Sequence, residues 1–158
     1  MKAVTVKELK IELNNRSHNE VIALCLRLSK FKKENKELLT YLLFESSNEN
    51  SYINTVKAEI DVQFEQINTH TYYYIKKSVR KILRSIKKYI RYSKKKETEV
   101  ELLLYFCIKL ANFKPSIQHN TVLKNIFMRE MNSIKKKILF LHEDLQYDYN
   151  VELQKITI

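Results

Sequence analysis

The sequence predicts an all-α fold, and three observations carry that expectation. Glycine is absent and Pro115 is the only proline. Sheet proteins rely on glycine at positive φ in their hairpin turns, whereas helices end readily on asparagine or a fraying turn. Apolar residues recur at helical spacing through most of the chain, and Ser/Thr-x-x-Glu capping boxes stand where several of these runs begin.

The first capping box, Thr5 to Glu8, opens a short helix to about Leu13. Ser17 to Glu20 repeats the device and opens a second, with Val21, Leu24, Leu28 and Phe31 on one face. Glu34–Lys36 interrupts the rhythm, and Leu38–Phe44 resumes it as a third helix. The polar run Ser46–Asn50 reads as a loop. A fourth helix carries Ile53, Val56, Ile60, Phe64 and Ile67, and Asn68–Thr71 leads into a fifth, about Tyr72–Ser93.

Thr98 to Glu101 reads as a third capping box. The helix it opens is so apolar through Leu102–Cys107 that burial on most sides is expected. Pro115 stops it. The last long helix runs from about Ser116 to Leu145 and buries Leu123, Phe127, Ile134, Ile138, Leu141 and Leu145. Residues 146–158 follow as a short helix or a frayed tail. These runs make six to seven helices in a single all-α domain, 1–158, a length suited to one core.

One internal echo bears on the architecture. Cys25–Lys32 aligns with Cys107–Lys114 at an offset of 82 residues, and the cysteine, one leucine, the phenylalanine and the final lysine are identical. The offset is about twice the 40–47-residue period of HEAT-like helical hairpins. On that reading 17–45, 51–93 and 98–145 are three stacked antiparallel hairpins, with 17–45 and 98–145 as the repeat. An irregular helical bundle is the alternative.

Composition also removes functions. Phosphate-cradling loops and dinucleotide fingerprints need glycines for tight turns and close backbone approach, so a P-loop or Rossmann enzyme is excluded. Cys25 and Cys107 lie in apolar stretches without CxxC spacing, and are expected to be buried free thiols in a reducing compartment. No signal-peptide core and no apolar run of membrane-spanning length is present, so the expected setting is the cytoplasm, with no membrane span.

The charge is concentrated. The chain has 29 Lys and Arg against 18 Asp and Glu, and Lys76–Lys96 holds 11 basic residues and no acid. The rest of the chain is neutral. On a helical wheel Ile75, Val79, Ile82, Leu83, Ile86 and Ile90 form one stripe. Lys76, Lys77, Arg80, Lys81, Arg84, Lys87, Lys88, Arg91, Lys94 and Lys95 form a cationic ridge opposite, roughly 30 Å long. Solvated helix faces usually mix signs, because like pairs at i,i+4 cost what opposite pairs gain, about 0.2–0.5 kcal/mol each. Some anion is therefore expected on this face. The choices are the chain's own acids (Glu59, Asp61 and Glu65, or Glu143, Asp144, Asp148 and Glu152), the backbone of DNA or RNA, and an anionic membrane or acidic protein. Tyr72, Tyr73, Tyr74, Tyr89 and Tyr92 on the same helix suit either stacking on unpaired bases or the core boundary.

No catalytic motif accompanies the ridge. His18, His70, His119 and His142 lie far apart, without metal-ligand spacing, and no cofactor or metal is expected. Glu130 is the one acid inside an apolar stripe, and it calls for a basic or tyrosine partner on a neighbouring helix, with Arg27 and Lys109 as candidates. The functional expectation is a non-enzymatic binding module that contacts a polyanion, nucleic acid backbone first, through 76–96. The alternative is a protein-interaction or scaffold domain whose ridge pairs with an acidic partner or its own acidic segments.

Overall fold

The computed structural model describes residues 2–156, and these are helical, with no strand among them. Eight α-helices form among the described residues, where six to seven were expected. The chain divides into two compact units, Met1–Phe44 and Glu45–Ile158.

The first unit contains α1 (Val6–Asn14), α2 (His18–Phe31) and α3 (Lys33–Thr40). Both expected capping boxes form. The Thr5 amide donates to the Glu8 carboxylate at 2.7 Å while the Glu8 amide donates to the Thr5 hydroxyl at 3.3 Å. Ser17 and Glu20 repeat the exchange at 2.8 and 3.4 Å. Hydrogen bonds from the Thr5 hydroxyl and amide hold Glu8 below the usual carboxylate range, and those from the Ser17 amide and hydroxyl do the same for Glu20.

Two expectations fail here. Glu34–Lys36 is not a break but the first turn of α3. The break is one residue, the extended Lys32, and Asn35 Nδ2 donates to the Leu28 carbonyl at 2.9 Å to close the end of α2. After Thr40 the chain widens into a single π turn, Tyr41–Glu45. The apolar face of α2 is also open. Leu24, Leu28 and Phe31 are exposed, Phe31 to 77%, and no residue of α1, α2 or α3 is buried. Cys25, expected in a core, is exposed with them.

The second unit contains α4 (Glu49–Glu65), α5 (Tyr72–Ser93), α6 (Lys96–Ala111), a 3₁₀ turn (Ile117–His119), α7 (Thr121–Ile138) and α8 (Glu143–Gln154). The α6 helix packs against α4, α5 and α7, and α8 packs on α7. Its central place follows from its sequence: Leu102, Leu103, Leu104, Phe106, Cys107 and Leu110 point around most of the helix and all are buried. Each such leucine contributes roughly 1.5–3 kcal/mol by leaving water. Ile53, Val56, Ile60, Phe64 and Ile67 are buried as their spacing requires, and the Phe64 ring meets Phe106 at 5.9 Å and Phe113 at 6.0 Å.

The third capping box does not form. Helix α6 begins two residues earlier than Thr98, at Lys96, and Thr98 is fully buried inside its first turn. The Thr98 hydroxyl donates instead to Glu49 Oε1 at 2.6 Å, and Glu101 is paired with Lys57. Nor is the last helix continuous. Leu139–His142 separates α7 from α8, with His142 Nδ1 capping the Asp144 amide at 3.4 Å and Gln146 Nε2 donating to the Leu141 carbonyl at 2.8 Å. Leu141 and Leu145, expected in the core, are only half-buried. Thr157 and Ile158 of the expected tail lie outside the described residues.

The echoing segments occupy different environments. Leu28 and Phe31 are exposed, whereas Leu110 is fully buried and Phe113 is half-buried against Phe64. Among the described residues no helix is long and apolar enough to cross a membrane.

Candidate polyanion interface

Helix α5 has the boundaries its periodicity predicts, Tyr72–Ser93. Its Ile75, Val79, Ile82, Leu83, Ile86 and Ile90 are all buried, so the opposite face is aimed outward by packing. The helix ends on Lys94, whose φ of 58° lies in the left-handed region that glycine normally fills. In a chain without glycine a lysine takes that position, at a cost of about 1–2 kcal/mol.

The ridge residues are placed as follows. Lys77, Arg80, Lys81, Arg84, Lys87, Arg91, Lys94 and Lys95 are exposed, and Lys76 and Lys88 are half-buried. Residues three or four apart on this face have Cβ atoms about 5–6 Å from one another. Lys87 Nζ lies 3.0 Å from Glu130 on α7, and Lys95 Nζ lies 2.9 Å from Glu49 on α4. Lys88 Nζ sits 4.8 Å from the centre of the Tyr89 ring and 6.0 Å from that of Tyr92. Among the described residues, Lys76, Lys77, Arg80, Lys81, Arg84, Arg91 and Lys94 form no ion pair. Lys96, the last cation of the segment, starts α6 with its Nζ 4.6 Å from the centre of the Phe140 ring.

The acids that reach the ridge are not those expected to. Glu59 accepts from the Tyr89 hydroxyl at 2.8 Å, and Asp61 is occupied by Lys109 at 2.9 Å and the Tyr105 hydroxyl at 2.7 Å. Burial acts to raise the Asp61 pKa, but the hydrogen bonds from Lys109 and Tyr105 outweigh it and the group stays below its usual range. The Tyr105 hydroxyl is pushed up to about 12 by burial and by its bond to Asp61.

Glu130, singled out by its place in the apolar stripe, is 1% exposed. Its partners are Lys87 and its neighbour Arg129, whose Nε lies 3.0 Å from Oε1. Lys109, one of the candidates suggested by the sequence, is engaged with Asp61 instead. The pairing was hidden because a helical wheel assigns Lys87 to solvent without showing that α7 borders that flank. Cys107 is buried, and burial together with the Glu130 charge raises its thiol to about 12, so it is held as an unreactive thiol.

The five tyrosines separate by role. The Tyr72 hydroxyl donates to the Ser116 carbonyl at 3.0 Å, Tyr89 donates to Glu59, and Tyr92 is buried. Tyr73 and Tyr74 remain exposed at the N-terminal end of the ridge, their ring centres 5.4 Å apart and edge to face. Among the described residues no group of His, Cys, Asp and Glu is arranged to hold a metal ion.

This geometry defines an all-α protein that displays a row of outward-facing cations on a docked helix. No family model, curated protein or solved structure matches the chain.

Proposed function

We propose that the protein is a non-enzymatic binding module that contacts a polyanion, the phosphate backbone of DNA or RNA, through the basic face of 76–96. The observation that supports this reading is the row of exposed cations Lys77, Arg80, Lys81, Arg84 and Arg91, which form no ion pair among the described residues. Phosphates placed along such a row release condensed counterions from the nucleic acid, and the repulsion among the cations is relieved at the same time. Within the same proposal the chain acts in the cytoplasm and is a stack of helical hairpins, the latter supported by the echo between Cys25–Lys32 and Cys107–Lys114.

A second reading has the ridge meet an acidic protein. Glu130 and Glu49 favour it, because they show ridge lysines donating to carboxylates at 2.9–3.0 Å.

The test is a charge reversal that spares the two internal pairs: Lys77, Lys81, Arg84 and Arg91 changed to Glu. Fluorescence anisotropy with DNA and RNA oligonucleotides across a salt series should show binding that weakens steeply with salt. The reversal should flatten the log–log slope by about 3 and cut affinity more than 100-fold at low salt. Absence of salt-sensitive binding to any oligonucleotide, with retained binding to an acidic peptide, would leave the second reading in place.

A further inference from the structure

The first unit shows an apolar surface out of proportion to its size. Thirteen large apolar side chains between Val4 and Phe44 are exposed, against seven in the rest of the described chain. A helix apolar around most of its circumference, as α2 is, is normally covered.

Three of these side chains, Leu9, Leu13 and Leu24, floor a groove of about 550 Å³ between α1 and α2 together with Ala23. Its rim is mixed in sign. Arg16 and Glu20 pair with each other across one turn at 3.5 Å. The other two rim charges, Glu12 and Arg27, face the same groove from different helices, and neither side chain has a partner among the described residues. One unpaired acid and one unpaired base beside a single apolar groove form a self-complementary set. In a two-fold interface residue i of one copy meets residue j of the other, and j meets i. Such a patch needs no second kind of molecule to neutralise it.

The geometry points to a homodimer in which the α1–α2 groove of one copy covers that of another, with Glu12 of each chain opposite Arg27 of its partner. The inference is independent of the polyanion reading, since it uses no residue of α5.

Analytical ultracentrifugation of the full chain from about 1 to 100 µM tests it. The wild-type chain should sediment as a dimer at the upper end. Glu12→Arg and Arg27→Glu should each raise the dissociation constant by about 10-fold or more, and the double exchange should return it to within about 3-fold of wild type. All four positions changed here are exposed, and circular dichroism of each variant confirms that the helices persist. Leu13→Glu with Leu24→Glu should give a monomer. A wild-type chain that stays monomeric throughout overturns the inference. So does a dimer indifferent to these changes, or a double exchange that fails to recover.

Discussion

Lys87 on α5 and Glu130 on α7 are joined at 3.0 Å through both carboxylate oxygens, with the acid buried and the amine half in solvent. A cation that belongs to the exposed ridge by its helix position thus acts as the counter-charge of a core carboxylate. Removing it leaves Glu130 in an apolar surround with only Arg129. Lys87→Ala is expected to cost about 1–3 kcal/mol, read as a lower urea midpoint with unchanged slope. Glu130→Gln, which keeps the shape and can still accept a hydrogen bond, should cost less.

The unpaired cations make an opposite expectation for stability. Lys81→Glu replaces one member of the Lys77/Lys81 like pair and gains Lys77 and Arg84 as opposite neighbours. It should stabilise the chain by about 0.5–1 kcal/mol at low salt, and the gain should shrink at about 1 M salt as screening sets in. Thermal unfolding at two ionic strengths reads the difference. A mutation that stabilises the fold while weakening polyanion binding would mark the ridge as a surface kept for function.

On the proposed nucleic-acid reading, Tyr73 and Tyr74 would distinguish single strands from duplexes. Changing both to Ala removes two exposed rings without touching the buried stripe. Affinity for a single-stranded oligonucleotide should fall by about 5- to 100-fold, with binding to an abasic strand or a duplex changed less than about 2-fold. Parallel anisotropy titrations check this.

The Tyr105–Asp61 contact sets a pH dependence at both ends. The Tyr105 pKa is raised in the folded state to about 12, so its contribution is complete below the ordinary tyrosine value and is lost as pH rises through the folded one. Asp61 is lowered, so its contribution is present above the ordinary carboxylate range and is lost as pH falls through the depressed value. The stability difference between wild type and Tyr105→Phe should be level from about pH 6 to 9 and decline towards pH 12. Thermal melts across that range measure it.

What could be read from the chain depended on whether a feature is local. Helix α5 was legible to the residue because its stripe runs without interruption and polar residues flank both ends. The capping boxes at Thr5 and Ser17 were legible because each is closed within four residues. Thr98 shows the limit: the same pattern in a helix already begun serves a tertiary hydrogen bond to Glu49, and only packing distinguishes the two uses. The division at Leu139–His142 contains neither glycine nor proline, and the apolar period continues across it. Glu130 was visibly out of place, yet its partner lay on a helix 43 residues away in sequence. The open face of α2 has a period like any core face, so exposure could not be read from it.

Glu49 opens α4, yet its carboxylate accepts from Ser93, Thr98 and Lys95, which bracket the left-handed Lys94. One acid therefore holds the sharp turn between α5 and α6 that glycine would otherwise make easy. The end of the cationic helix is thus tied to a residue more than forty positions upstream. A loss there should disturb the far end of the ridge, at Lys94 and Lys95, before it disturbs the ridge's own middle.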